Sequence, residues 1–167
     1  MKRLLLLRHA KSSWDDSNLA DFDRPLNPRG LVTAPFMGEL IARRELQPDE
    51  IVSSPAKRAM QTALLVKESA GLDASLRYDE RIYEASPKSL LQVSSELSDN
   101  LNSAMLVGHN PGFEGFIGFL TGKVEPMPTA ALAVIDLNIK SWSKIKGGTG
   151  SVNTVLRPKD VMKADGG

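Results

Sequence analysis

The sequence predicts an α/β protein, a three-layer α/β/α sandwich with a mostly parallel central sheet. A continuous apolar run near the start, Lys2 to Leu7, is typical of a strand covered on both faces. Further short apolar runs alternate along the chain with segments of helical periodicity, which is the order expected for parallel strands joined by helices. Near the end, Ala131 to Leu137 and Ser151 to Leu156 flank a glycine-rich turn and predict a hairpin.

The elements of the first half follow in order after this strand. Asn27 to Glu45 predicts a helix, because an Asn-Pro pair at its start is a helix-initiation signal and apolar residues recur behind it at helical spacing. Glu50 to Ser53 predicts the second strand. Pro55 to Gly71 predicts the second helix, ended by its glycine. A third strand is expected around Leu76 to Tyr78.

The second half repeats the alternation. Pro87 to Leu97 predicts a helix, Ser103 to Val107 a buried strand, and Phe113 to Leu120 another helix. The total of 167 residues suits a single domain. Because the last residues are polar, we expect one domain over 1–158 and a flexible tail over 159–167.

Composition excludes several classes of function. The formal net charge is +1, from 21 basic and 20 acidic residues, so no field over the whole surface attracts nucleic acid. The chain has no Cys, which excludes disulfides, thiolate zinc sites and cysteine nucleophiles. The run Leu4 to Leu7 is too short for a signal peptide or a membrane span. We therefore expect a cytoplasmic protein without nucleic-acid or membrane partners, and the sequence leaves its oligomeric state open.

The two histidines of the chain occupy equivalent positions. His9 directly follows the first strand, and His109 comes just after the strand that ends at Val107. A lone histidine is more often a structural or surface residue. Ligands of parallel α/β sheets, however, bind outside the carboxyl ends of the strands. The placement of both histidines at such ends therefore favours a shared site.

Two arginines are expected at the same edge of the sheet. Arg8 adjoins His9, and Arg58 lies in the first part of the helix that follows the second strand. A guanidinium group matches phosphate oxygens bidentately, and a helix N-terminus adds unpaired N–H groups. Taken alone, Arg58 would suit an ordinary solvated helix face. With the histidines, the arginines predict a pocket for a phosphate dianion.

In its motifs the chain resembles the histidine phosphatase superfamily, also called the phosphoglycerate mutase-like family. Within it, the short bacterial phosphohistidine phosphatases of the SixA type are the most similar branch. The resemblance rests on five segments in the family's order: Leu7 to Ser12, Asp23 to Gly30, Ser53 to Thr62, Ile82 to Ala85 and Val107 to Gly112. It implies a phosphoglycerate mutase-like fold over most of the chain.

The resemblance also implies residue roles. His9 would be the nucleophile that is transiently phosphorylated, and Arg8, Arg58 and His109 would hold the phosphoryl oxygens. Imidazole attacks only when unprotonated, and we expect the two guanidinium charges to disfavour its protonated form. The same charges would stabilise the transferring phosphoryl group. No metal or cofactor is required.

Other candidate residues are less specific. The family supplies a carboxylate that protonates the leaving group, and Glu84 stands at that place, with Glu80 as a competitor and a solvated loop role open for both. Asn110, at a helix start, would either donate to the phosphate or make the turn. Asp23 with Arg24 would either order the loop after the nucleophile or simply begin a helix.

The resulting expectation is a metal-independent phosphatase acting on a phosphorylated substrate, with a phosphohistidine-bearing protein as one candidate. A small-molecule phosphomonoesterase and a phosphoglycerate mutase-type phosphotransferase are the alternatives, although mutases of this family carry longer lid insertions. A phosphate-binding regulatory module without catalysis is an alternative of another class. The intact set of two histidines and two arginines argues against it.

Overall fold

A six-stranded sheet forms the centre of the computed structural model, which describes residues 1–164. Its strands are β1 (Lys2–Arg8), β2 (Glu50–Ser53), β3 (Ser75–Tyr78), β4 (Ser103–Gly108), β5 (Leu132–Leu137) and β6 (Gly150–Leu156). They lie in the order β3-β2-β4-β1-β5-β6, and β1 to β4 pair in parallel. Strand β5 is antiparallel to both β1 and β6. The predicted mostly parallel sheet and its terminal hairpin are confirmed.

The helices begin and end close to the predicted positions. They are α1 (Pro28–Arg43), α2 (Lys57–Ala70), α3 (Pro87–Ser95), α4 (Gly112–Thr121) and α5 (Pro158–Ala164). Helix α1 starts where the Asn27 side chain accepts a hydrogen bond from Gly30 N, and α2 ends at Gly71, whose φ of 63° is left-handed. No helix within residues 1–164 combines the length and apolar character needed to cross a membrane.

Each face of the sheet carries its own apolar core. Along β1, Leu5 and Leu7 pack on the face covered by α1, α2 and α5, whereas Leu4 and Leu6 pack on the face covered by α3 and α4. Successive side chains of a strand point to opposite faces, and both faces are covered by helices here. All four leucines are therefore fully buried. The continuous apolar run thus corresponds to a strand buried on both sides, as the three-layer prediction requires.

The end of the chain differs from the predicted tail. Residues 158–164 form α5, and Val161 packs into the core beside α1 and α2 with 8% of its surface exposed. The short segment around Val161 is mostly polar, which concealed this apolar contact in the sequence. Residues 165–167, the rest of the predicted tail, lie outside the described residues.

Gly30 sits where α1 begins, packed directly on the loop that follows β1. A Cβ at this position would lie 2.2 Å from the carbonyl oxygen of Lys11, which also accepts a hydrogen bond from Asn27 N. Because that oxygen is held by the backbone, we predict that Gly30→Ala lowers the free energy of unfolding by about 1–3 kcal/mol. Urea unfolding of the variant and the wild type measures the difference.

The matched control is Gly118→Ala in α4. A Cβ there meets its nearest atom at 3.8 Å, which is ordinary contact. Removing a glycine from a helix interior stabilises by about 0.5–1 kcal/mol, so this variant should be at least as stable as the wild type. Equal stability of the Gly30 and Gly118 variants would contradict the packing described for α1.

Candidate active site

The carboxyl ends of three neighbouring strands bring the predicted residues together. Arg8 ends β1 and His9 follows it, His109 follows β4, and Arg58 lies in the first turn of α2 after β2. The imidazole rings of His9 and His109 have centroids 5.1 Å apart. Both histidines and Arg58 are buried, with 6% to 9% of their surface exposed. The four residues predicted at this edge therefore form one cluster.

Hydrogen bonds determine which nitrogen of His9 carries the proton. Its Nδ1 lies 2.7 Å from the carbonyl oxygen of Ala10, and a carbonyl only accepts, so Nδ1 is the protonated atom. The backbone of His9 is fixed as well, since its N–H donates to Gly108 O and its carbonyl accepts from Ala130 N. In the neutral ring, Nε2 keeps its lone pair.

A buried hydroxyl group connects the histidine loop to the arginine helix. Thr62 Oγ1 donates to the carbonyl of Arg58 at 2.7 Å and accepts from Ala10 N at 3.0 Å. Thr62 is fully buried. The position of α2 therefore fixes the backbone next to His9.

Burial keeps His9 unprotonated near neutral pH. Its pKa is lowered from 6.5 to about 4, chiefly by burial, with smaller contributions from the charges of Arg58, Arg8 and Arg24. The hydrogen bond to Ala10 acts in the opposite direction. The sequence-based explanation, which credited the two neighbouring arginines, is thus corrected: removal from water is the larger cause.

His109 is also neutral. Its pKa is lowered from 6.5 to about 3, chiefly by burial, with smaller contributions from the nearby His9 and the charge of Arg58. Its Nε2 lies 2.8 Å from Ser54 Oγ, and Ser54 Oγ accepts a hydrogen bond from Ala56 N. When Nε2 accepts from the Ser54 hydroxyl, Nδ1 of the neutral ring carries the proton. A neutral His109 is better suited to hydrogen bonding than to neutralising charge.

Three buried nitrogens of this cluster have no hydrogen-bond partner. They are Arg8 Nε, Arg58 Nε and His109 Nδ1, and Ser103 Oγ is the one further buried side-chain atom of this kind within residues 1–164. Most buried polar atoms in proteins are hydrogen-bonded. These unpaired nitrogens all belong to residues predicted to hold the phosphoryl group, so they offer hydrogen-bonding capacity to an anion.

Asp21 is a site residue that sequence reasoning missed. Its carboxylate accepts from Arg58 Nη2 at 3.0 Å, from Arg24 Nη2 at 3.0 Å and from Tyr83 Oη at 2.6 Å, and its carbonyl accepts from Arg58 Nη1 at 2.7 Å. The pKa of the Asp21 carboxyl is well below its usual range, mainly because of the Tyr83 hydrogen bond. Asp21 thereby orients the guanidinium group of Arg58.

The loop after His9 is ordered by Arg24, which donates to Ser12 Oγ at 2.9 Å and to Ser13 O at 3.3 Å. This part of the prediction is confirmed, but the carboxylate partner of Arg24 is Asp21 rather than Asp23. A 3₁₀ turn over residues 21–23 brings position 21 beside position 24. In the sequence, the i,i+3 spacing of Asp21 and Arg24 was the signal that could have indicated this ion pair.

A cleft of about 370 Å³ opens at this edge of the sheet. Its lining residues are Asp21, Arg58, Tyr83, Glu84, Ala85, Ser86, His109, Asn110, Pro111 and Gly112. Of the two candidate carboxylates, Glu84 lines the cleft and Glu80 does not. Glu84 has a φ of 53°, an uncommon value for a residue with a side chain. Its acid–base role stays a prediction.

The amide of Asn110 is engaged in local structure. Its Nδ2 donates to Met127 O at 2.8 Å and to the Glu114 carboxylate, and its Oδ1 accepts from Glu114 N at 3.2 Å. Met127 O also accepts from Arg8 Nη1 at 2.9 Å. Asn110 therefore braces the segment that holds Arg8, and direct binding of phosphate by Asn110 stays a prediction.

Comparison with known proteins identifies the family. The family model of the histidine phosphatase superfamily (branch 1) matches residues 4–105. The chain belongs to this superfamily. A relative of unknown function in Mycobacterium tuberculosis is 31% identical over 153 residues, which cover 85% of this chain and 93% of the relative.

Solved structures of histidine phosphatases share the fold. A protein of Agrobacterium tumefaciens, provisionally assigned as the phosphohistidine phosphatase SixA, is 30% identical, with a TM-score of 0.81 over 94% of this chain and 98% of that one. Among the relatives found by sequence, a phosphoglycerate mutase of Thermobifida fusca is 36% identical over 107 residues, covering 59% of this chain and 43% of the mutase. The predicted phosphoglycerate mutase-like fold is confirmed, and the protein is a phosphatase of this superfamily.

The two lowered histidine pKa values predict how the stability of this histidine phosphatase depends on pH. Folded His9 and His109 have pKa values of about 4 and about 3, against 6.5 without burial, so the unfolded chain binds more protons between these values. Stability therefore falls as the pH falls through this window. We expect a loss of about 2–4 kcal/mol between about pH 7 and pH 5.

Urea unfolding at several pH values measures this loss. His9 and His109 are the two histidines of the chain, so the double variant His9→Gln, His109→Gln removes every side chain with an ordinary pKa near 6.5. Its stability should change much less over the same range. An equally steep loss in the double variant would contradict the assignment of the effect to the buried histidines.

Proposed function

We propose that the protein hydrolyses protein-bound phosphohistidine through a phosphohistidine intermediate on His9. The observation that carries the proposal is the hydrogen bond from His9 Nδ1 to Ala10 O, which leaves Nε2 with its lone pair beside two arginines. A neutral imidazole in an arginine-rich pocket is a competent nucleophile towards a phosphoryl group.

In the first step, His9 Nε2 forms a bond to phosphorus while the bond between phosphorus and the leaving group breaks. The bonding electrons remain on the leaving atom, which takes up a proton. Arg8, Arg58 and His109 hold the phosphoryl oxygens and stabilise their charge. Asp21 keeps Arg58 in position for this contact.

In the second step, water attacks the phosphorus and the bond to His9 Nε2 breaks. Inorganic phosphate leaves, and the imidazole returns to its neutral form with Nδ1 protonated. Glu84, at the rim of the cleft, is the proposed group that delivers a proton in the first step and accepts one from water in the second.

Two observations support phosphohistidine as the substrate. The Agrobacterium relative provisionally assigned as a phosphohistidine phosphatase aligns with this chain over almost its whole length. The nitrogen leaving group of phosphohistidine can also be protonated before it departs, so a solvent-exposed carboxylate such as Glu84 is sufficient. A cytoplasmic location is part of the same proposal.

Phosphoryl transfer of the mutase type is the second candidate, because a phosphoglycerate mutase is among the relatives. Assays of the purified protein separate the candidates. The substrates are free phosphohistidine, a phosphohistidine peptide, p-nitrophenyl phosphate and a phosphoglycerate. We expect the highest kcat/KM on phosphohistidine, with release of phosphate and inhibition by vanadate. Efficient transfer between the hydroxyl groups of the phosphoglycerate would contradict the proposal.

A further inference from the structure

A second cleft, of about 540 Å³, lies between α1, α5 and the segment before β5. Four basic residues line it: Lys11, Arg29, Lys159 and Lys163. All four are exposed, and none takes part in the ion pairs recorded among residues 1–164. Since the whole chain has a net charge of only +1, this concentration of positive charge is local. We call it the basic cleft.

One short segment connects the basic cleft to the active-site residues. It is the segment 127–130, in which Met127 O accepts from Arg8 and Ala130 N donates to the carbonyl of His9. Pro128, within the same segment, lines the basic cleft. Lys11, which also lines the basic cleft, is only two residues beyond His9. A molecule in the basic cleft would therefore lie next to the phosphoryl pocket.

The cations of the basic cleft differ from those that hold a small ligand. Arg58 and Arg8 are fixed by hydrogen bonds in the active site, whereas the four cations are exposed on long side chains. Small-ligand sites use a few rigidly placed polar groups. Exposed charges instead give electrostatic complementarity to an oppositely charged protein surface. Met162 adds apolar contact surface.

We propose that the basic cleft docks an acidic segment of the phosphorylated protein substrate while its phosphoryl group enters the active site. This inference rests on the proposed function, because it requires a protein substrate. Asp160 also lies on α5 but does not line the basic cleft, so within residues 1–164 the charged side chains that line it are all positive. The basic cleft would raise affinity for protein substrates without affecting the chemical step.

Binding of unphosphorylated peptides tests docking independently of catalysis. The probes are a fluorescently labelled glutamate-rich peptide and the same peptide with glutamine at every glutamate, measured by anisotropy at low salt. The wild type should prefer the acidic peptide, and Lys159→Gln with Lys163→Gln should weaken its binding by about fivefold to tenfold. Arg29→Gln, on a different helix, should weaken it as well.

The matched control is Lys144→Gln with Lys146→Gln, which changes the net charge equally. These lysines follow β5, whose last residue, Leu137, pairs with Lys2 at the opposite end of β1 from His9. This control should alter binding less than about twofold. Equal binding of both peptides, or equal weakening by the control, would overturn the docking proposal.

Kinetics separate this inference from the proposed function. With phosphohistidine added to the acidic peptide, the Lys159 and Lys163 variant should show a raised KM and an unchanged kcat. Its kinetics on free phosphohistidine should match those of the wild type. A wild type that hydrolyses neither free nor peptide-bound phosphohistidine would refute the proposed function, whereas equal losses on free and peptide-bound substrate would refute docking.

Discussion

Replacing His9 with alanine is expected to lower kcat/KM by at least about 10⁵-fold on every phosphorylated substrate, because no other group can form the covalent intermediate. The fold should survive, since the side chain bonds only to the adjacent Ala10 carbonyl and the backbone hydrogen bonds to Gly108 and Ala130 remain. Steady-state kinetics measure the loss, and circular dichroism verifies the fold.

His109→Ala provides the comparison for this variant. His109 is proposed to donate to the phosphoryl oxygens rather than to attack, so its removal should cost about 10²–10³-fold, well below the loss for His9. If His9→Ala retained activity within tenfold of the wild type, or lost less than His109→Ala, the nucleophile would be wrongly assigned.

Arg58→Ala is expected to reduce kcat/KM by about 10²–10³-fold and to raise the inhibition constant of inorganic phosphate. Arg58 is buried at the start of α2 and loses both its charge and its forked geometry in this variant. Arg58→Lys should recover only part of the activity, since an ammonium group keeps the charge but cannot bind two oxygens in a fixed plane. Phosphate release and product inhibition provide the measurements.

Arg77→Ala is the matched control for the loss of an arginine. Arg77 lies exposed on β3 and pairs with Glu50, away from the cleft. Its replacement should change kcat/KM by less than about twofold. Full activity in Arg58→Lys would show that charge alone is needed, contrary to the bidentate role inferred for Arg58.

The sheet and the central cluster could be predicted because their signals are local. Leu4 to Leu7 form an unbroken apolar run, which is sufficient to indicate a strand buried on both faces. His9 and His109 each come immediately after such a strand, and parallel strands align their carboxyl ends at one edge. Local pattern and general sheet geometry together define the pocket.

What could not be predicted depends on contacts between distant residues. Tyr83 and Asp21 are hydrogen-bonded across 62 positions of sequence, and no periodicity connects them. Val161 lies in a short, mostly polar segment, so its burial emerges only when α5 packs on the sheet. The extent to which burial lowers the pKa of His9 likewise depends on the complete surroundings of the ring.

The most direct test of the mechanism is to trap the enzyme during turnover and locate the phosphate. Rapid quenching in alkali, followed by peptide mass spectrometry and phosphorus NMR, should find phosphate on Nε2 of His9, stable in alkali and lost in acid. His109 is the other histidine of the chain and should carry none. Phosphate on His109 or another residue, or turnover in which His9 is never labelled, would contradict the mechanism.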